Sequence, residues 1–188
     1  MARLLLLYNG IYGHTQRICE YVSSQLAAHG HSADIAALGE GGPDFGAYDA
    51  VVIGAAIRHG KHNPAVLEFV QRHLAALQSK PSAFFSVSLI ARKPTRNTAA
   101  TNPYVRAFLE RSPWQPAVVG VFGGELDYQR YGLFNRYVIR LIMTINKGPT
   151  DLNTKVVFTD WDAVQRFAER VAALAAGQPA AATGSSGR

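Results

Sequence analysis

The chain has 188 residues, of which 48% are hydrophobic and 17% charged, which suffices for one α/β domain with a full core and excludes a disordered protein. Lysine and arginine outnumber aspartate and glutamate by 19 to 13, a balance that favours an acidic substrate, an anionic membrane surface or nucleic acid as partner. The lone cysteine, Cys19, excludes a disulfide framework and a multi-cysteine metal centre and suggests a reducing compartment.

The first predicted strand, Leu4–Tyr8, is an apolar run of the kind buried on both faces of a sheet. It passes into a short loop, Asn9-Gly10-Ile11-Tyr12-Gly13-His14-Thr15, and at once into a helix. That helix keeps Ile18, Val22 and Leu26 on one side, with Cys19 as a small buried hydrophobe, and stops at Gly30. The loop therefore lies at the carboxyl end of a strand and the amino end of a helix, where open backbone N–H groups and the helix dipole favour a phosphate. It is neither a dinucleotide fingerprint nor a Walker loop. Its spacing, with Gly13-His14-Thr15 opening the helix, resembles the flavodoxin loop that holds the FMN phosphate, with Gly10 and Tyr12 in place of two usual hydroxyl residues. An ordinary tight strand-to-helix turn is the plain alternative.

His31–Leu38 alternates like an edge strand, and Gly39-Glu40-Gly41-Gly42-Pro43 breaks it. Asp49–Ile57 is a third strand. Asn63-Pro64 caps and opens a helix with Val66, Val70, Leu74 and Leu77 on its apolar side. Ser82–Ile90 is a fourth strand, and Asn102-Pro103 opens a short helix bearing Val105, Phe108 and Leu109. Ala117–Phe122 is a fifth strand; Asp160 caps a last helix carrying Val164, Phe167, Val171 and Leu174, which ends at Gly177. Residues 178–188 read as a disordered tail, with Gly184–Arg188 resembling an appended remnant. No signal peptide is visible, and no apolar run approaches the roughly 20 residues of a membrane span.

Strands alternating with helices predict a doubly wound, five-stranded parallel sheet of flavodoxin-like order 2-1-3-4-5, a single domain over residues 1–177. Its ligand site lies where the order reverses, between the first and third strands. A long insertion, about Gly123–Lys155, departs from the minimal pattern. Its middle, Tyr128–Gly148, predicts a basic, apolar helix of about four turns, with Arg136 and Arg140 on one face. Such a helix either packs on the sheet with solvated cations or lies at the surface, on a membrane or over an apolar acidic ligand. The loops after the third and fourth strands are basic too, so that Arg58, Lys61, Arg92, Lys93, Arg96, Arg130, Arg136, Arg140 and Lys147 are expected on one rim.

Four further stretches carry a closer likeness. They are Val52-Ile53-Gly54-Ala55-Ala56-Ile57-Arg58-His59-Gly60, the run from Pro81 through Ser86-Val87-Ser88-Leu89 and Ala91-Arg92-Lys93-Pro94, Arg140-Leu141-Ile142-Met143, and Phe158-Thr159-Asp160-Trp161. With them, nearly the whole chain resembles the flavodoxin-type, quinone-dependent protoporphyrinogen oxidase (protoporphyrinogen IX dehydrogenase) family of Gram-negative bacteria. In the phosphate loop Gly10, Ile11 and Tyr12 depart from that family's small hydroxyl residues and acid. The resemblance implies FMN as cofactor, protoporphyrinogen IX as substrate and a membrane quinone, menaquinone or ubiquinone, as acceptor. A chain without a span then has to dock peripherally on an anionic membrane surface, at the cytoplasmic side of the inner membrane.

Three loops meet at the switch point, which gives the expected FMN contacts. Asn9, Gly10, Ile11, Tyr12, Gly13, His14 and Thr15 surround the phosphate; Ala56, Ile57, Arg58, His59 and Gly60, with Ser86, Val87, Ser88, Leu89 and Arg92, flank the ring. Arg58 and Arg92 are the expected propionate partners, with Arg136 and Arg140 as alternatives. No catalytic base is assigned; His59 is a candidate by position alone. His14, His59 and His62 fall in ligand-edge loops, whereas His29, His31 and His73 read as surface residues, and no metal site is expected. The competing readings on the same fold are an FMN-dependent NAD(P)H:quinone reductase and an electron carrier without a substrate of its own. Nucleic-acid binding has no recognised motif in its favour.

Overall fold

The computed structural model describes residues 1–39, 43–130, 132–145 and 148–177, without the side chains of residues 134 and 135. Lys147 of the expected rim, the Glu40–Gly42 part of the predicted break and the tail from 178 lie outside these residues.

The sequence folds as predicted into alternating strands and helices. β1 (Arg3–Asn9) leads through the glycine loop to α1 (His14–Ala28), then to β2 (Ser32–Ala37) and β3 (Ala50–Arg58). β4 (Lys61–His62) folds straight back on the end of β3. After it come α2 (Pro64–Arg72), α3 (Leu74–Gln78), β5 (Ser82–Ser88), α4 (Pro103–Arg111) and β6 (Val118–Gly123). The chain then forms β7 (Glu125–Asp127), α5 (Leu133–Ile145), β8 (Lys155–Val157) and α6 (Trp161–Ala175). The main sheet is parallel in the order β2-β1-β3-β5-β6, which is the expected 2-1-3-4-5 once β4 is set aside. Leu4 of β1 stands opposite Ala33 of β2 and Ala50 of β3, and this register brings the carboxyl ends of β1, β3 and β5 to one edge.

Period-two alternation divides the sheet side chains between two layers. Leu4, Leu6, Val52 and Phe85 pack toward α1 and α6, against Ile18, Val22 and Phe167. Leu5, Leu7, Val51, Ile53 and Phe84 pack toward the other helices, against Val66, Phe69, Val70 and Trp114. Cys19 is wholly buried in the first layer, and burial pushes its thiol up to about 12. Asn63, Asn102 and Asp160 cap their helices as their positions before each apolar run suggest.

Two local predictions are corrected. The expected single helix after Asn63 is broken at His73 into α2 and α3. The His73 ring packs on Phe45 and Phe69, at 5.3 and 4.5 Å, instead of standing on the surface. His62 stays at the ligand edge as expected, with its ring turned inward: it packs against Phe84 and Phe108, and its Nε2 lies 2.9 Å from Ser86 Oγ.

Burial holds the His62 imidazole down to about 4. The folded protein then binds fewer protons here than the unfolded chain, so stability is complete above pH ~6.5 and is lost as pH falls toward 4. Urea unfolding at pH 7.0 and 4.5 should show His62 contributing about 2–3 kcal/mol to the difference, on ~1.4 kcal/mol per pH unit. His62→Gln should remove that part; an unchanged acid sensitivity would show that His62 does not titrate as its surroundings dictate.

Candidate active site at the carboxyl edge of the sheet

The loop after β1 is shaped by two glycines for different reasons. A Cβ on Gly10 would stand 2.5 Å from Thr15 Oγ1 and 2.9 Å from Thr15 Cβ, so only glycine permits this closeness. Gly13 has open space around it but takes φ +81°, a left-handed conformation that other residues adopt at a cost. It is the N-cap of α1, and no side chain bonds the first turn. The first backbone bond back to it comes from the Arg17 N–H, at 3.0 Å. The preceding N–H groups therefore have no acceptor within the helix, and the first turn carries no acid.

The loop after β3 is a two-residue hairpin. Ile57 pairs with His62 and Arg58 with Lys61, leaving His59 and Gly60 at the tip with φ 49° and 76°. Both tip residues are left-handed, as the mirror-image turns of tight hairpins require. The chain after β5 coils into a short 3₁₀ turn, Leu89–Arg92. Between these loops and α5 lies a cavity of about 710 Å³, within the usual range of ligand sites. A second cavity, of about 420 Å³, lies along the hairpin between the glycine loop and the start of α2.

The expected site residues are distributed over these cavities in a definite way. Ile11, Tyr12, Ala56, Ile57, Arg58 and His59 border both. Asn9 and Gly10 border the smaller one; His14, Thr15, Gly60, Val87, Ser88 and Leu89 border the larger. Ser86 stands behind the wall, fully buried beside His62. Arg92, Arg136 and Arg140 are not among the lining residues. Arg92 donates from Nη1 to Leu89 O at 3.0 Å and lies 5.6 Å over the Phe158 ring. Arg136 donates from Nε to Tyr128 O at 2.9 Å, and Arg140 is exposed on α5. Of the expected rim, Arg58 and Arg130 line the larger cavity and Lys61 the smaller.

The predicted insertion helix forms at close to its expected length, 13 residues. Tyr128 is fully buried and begins a 3₁₀ turn, and the helix proper starts at Leu133. Leu126, Tyr128 and Met143 form a small core of their own with Tyr12, Leu89 and Ile139 against it. That core attaches the insertion to the glycine loop and the loop after β5. α5 presents Val138, Ile139 and Ile142 to the cavity, whereas Leu133, Tyr137, Leu141 and Ile145 are exposed.

β7 places two acidic residues in the cavity wall that periodicity does not mark, with both Glu125 carboxylate oxygens buried. Glu125 has a side chain only 4% exposed and lies near Arg17, Arg130 and Lys155, at 3.8, 3.9 and 3.9 Å. Asp127 lies 3.4 Å from Arg130 and 3.8 Å from Lys155. Their one signal in the sequence is their position, two acids spaced by one residue directly after the fifth strand and its Gly123-Gly124 end. His14 also stands deeper than a loop residue would. Its Nε2 is 2.7 Å from Thr159 Oγ1, and Thr159 Oγ1 donates to Gly123 O at 2.7 Å. His14 Nδ1 faces Glu125 Oε2 at 3.7 Å. Burial lowers the His14 imidazole below its ordinary value, with Glu125 opposing and Arg17 assisting. Among the described residues, no three His, Cys, Asp or Glu side chains are grouped to hold a metal ion, and no helix is long and apolar enough to cross a membrane.

A family model for a flavodoxin domain matches residues 5–153. Over 173 residues the chain is 43% identical to the protoporphyrinogen IX dehydrogenase [quinone] of Escherichia coli (strain K12), covering 92% of this chain and 96% of that relative. It is 44% identical over 174 residues to the protein of the same name from Leishmania major, covering 92% of this chain and 75% of that one. In fold it is similar to a flavodoxin of Streptococcus pneumoniae TIGR4, with a TM-score of 0.51 at 16% identity, covering 92% of this chain and 99% of that chain.

Proposed function

Because the chain belongs to the flavodoxin-domain family of protoporphyrinogen IX dehydrogenases [quinone], we propose that it is an FMN enzyme that oxidises protoporphyrinogen IX to protoporphyrin IX and passes the electrons to a membrane quinone. The observation that carries this reading is the conjunction at one edge of the sheet: an open helix N-terminus beside a large cavity whose far wall is the apolar side of α5.

The residues present fit FMN. The closeness of Gly10 to Thr15 and the uncapped turn after Gly13 form a cradle of N–H groups suited to a phosphate. Ala56–Gly60 on one side, and Val87 to Leu89 on the other, offer walls for a flat ring. Bound there, the flavin supplies the hydride acceptor for each two-electron step. The protein's own contribution is orientation and exclusion of water. Arg58 borders both cavities and is the first choice for a substrate propionate. Arg92 and Arg136 each direct an N–H at a backbone carbonyl, and Arg140 lies farther out, so these three are secondary partners. The exposed apolar side chains of α5, with Arg140 beside them, suit peripheral attachment to an anionic bilayer holding menaquinone or ubiquinone.

The purified protein should show a flavin spectrum. Under anaerobic conditions protoporphyrinogen IX should bleach it, and a quinone analogue should restore it. Rapid bleaching by NADPH, with none by the porphyrinogen, would make the protein a reductase instead. A charge-assisted bond of this kind is worth roughly 1.5–3 kcal/mol. Arg58→Ala should therefore raise the porphyrinogen KM about tenfold or more at unchanged flavin content. Loss of flavin along with activity would make Arg58 a cofactor residue.

A further inference from the structure

The smaller of the two cavities has a charge pattern that the larger one lacks. Arg58 and Lys61 both border it, and no aspartate or glutamate does. Resting on the substrate reading above, we propose that this cavity is the propionate subsite: Arg58 and Lys61 clamp the two neighbouring carboxylates of the porphyrinogen and so turn its vinyl-bearing edge toward the apolar wall of α5.

The hairpin after β3 builds the clamp. Arg58 and Lys61 are direct partners in its antiparallel register. Side chains so opposed stand on one face, with Cβ atoms about 5 Å apart. The ring of His62, one residue on, is turned into the core against Phe84 and Phe108, so alternation sends Lys61 outward. The tip residues His59 and Gly60 are both left-handed, which fixes the two-residue turn and with it this pairing. Like charges placed directly opposite each other cost stability. Here both side chains are exposed, and neither has a hydrogen bond or ion pair among the described residues. A pair of carboxylates relieves that repulsion, each meeting one cation.

The larger cavity is unsuited to the same charge. Apart from the shared Arg58, its one guanidinium is Arg130. Arg130 donates to Tyr12 O at 2.8 Å and lies 3.4 Å from Asp127 and 3.9 Å from Glu125. A dianion there meets two acidic residues and a cation already engaged, a juxtaposition that opposes binding. Val138, Ile139 and Ile142 give that cavity an apolar wall, which suits methyl and vinyl groups. Ile11, Tyr12 and Ile57 border both cavities. A macrocycle lying across this shared wall keeps its carboxylates at the hairpin and its apolar edge at α5.

The experiment uses the flavin-loaded protein. Protoporphyrin IX, the product, carries the same propionates and is not consumed, so fluorescence titration reads its binding directly. Lys61→Ala should weaken it about tenfold, and the double variant Arg58→Ala/Lys61→Ala about a hundredfold, at unchanged flavin content. Lys61→Arg should keep most of the affinity. The dimethyl ester, which retains the ring and loses both charges, should bind wild type and variants alike. Coproporphyrin III, with propionates in place of both vinyl groups, should bind at least tenfold more weakly than protoporphyrin IX, because its extra carboxylates fall against α5.

Wild-type affinity in Lys61→Ala, or an equal loss for the ester, would overturn the clamp. So would tighter binding of coproporphyrin III, which marks an undirected basic surface. Loss of flavin in Lys61→Ala would assign the pair to the cofactor's phosphate instead. If the wild type neither binds protoporphyrin IX nor is bleached by protoporphyrinogen IX, the substrate reading fails and takes the clamp with it. If the wild type does both and the variants match it, the clamp alone fails.

Discussion

Replacing Gly13 by valine should yield a protein that purifies colourless although its α/β core is folded. The reason is conformational and not steric. Nothing lies within 4 Å of a Cβ built on Gly13, whose φ is +81°. A non-glycine residue is disfavoured there by roughly 1–2 kcal/mol, and a β-branched one by more. The loop relieves this by turning Gly13 toward negative φ, which swings the open N–H groups of α1 away from the phosphate position. Gly13→Asn, which tolerates the left-handed region, should keep most of the flavin. Gly10→Ala should lose flavin by a different route, since its new methyl meets the Thr15 side chain head on. The flavin-to-protein ratio, with circular dichroism as the folding control, decides the matter. Full occupancy in Gly13→Val would place the phosphate elsewhere.

The second large effect is expected from α5. Replacing Leu141 and Ile145, which are 62% and 73% exposed, by serine should slow turnover with a bilayer-embedded quinone at least tenfold. Turnover with a water-soluble acceptor should change less than twofold. Burying a side chain of this size contributes about 1.5–3 kcal/mol, against about 1 kcal/mol for a juxtamembrane cation. The apolar face therefore outweighs the charges. The arginines also make poor targets as a group. Arg130 Nη1 bonds Tyr12 O at 2.8 Å and Arg136 bonds Tyr128 O, so removing them disturbs the cavity wall itself. Arg140→Ala alone should weaken binding to anionic vesicles several-fold at low salt and little at high salt. Vesicle sedimentation of the serine variant at wild-type level would reduce α5 to a helix that packs on the site.

The order of the sheet was legible because the interior strands are apolar runs and the edge strand β2 alternates. Leu4–Leu7 and Val51–Ile53 are buried on both faces as their lack of alternation implies. The glycine loop was legible because Gly10, Gly13 and Thr15 have few other reasons to stand at a strand-to-helix junction. What escaped was decided by contacts far apart in sequence. Lys61–His62 is too short to show a period, and only pairing with Ile57 and Arg58 makes it a strand. Glu125–Asp127 becomes one by pairing with Lys155–Val157, across the whole insertion. His14 is drawn inward by Thr159, 145 residues later. Counting cations placed Arg92 and Arg136 at the rim, but a guanidinium's long stem let backbone carbonyls near the site take up their N–H groups.

The sealed thiol of Cys19 gives this protein an internal clock for its own opening. With one cysteine in the chain, lying at 0% exposure and with its ionisation pushed to about 12, no reagent can reach a thiolate in the closed molecule. Labelling then proceeds only through states in which α1 has parted from β1 and α6. Because α1 also carries the phosphate loop at its other end, ligand that holds that loop must slow the labelling of a sulfur it never touches. Alkylation rates thus count departures of the helix from the sheet, one molecule at a time, without any probe being introduced.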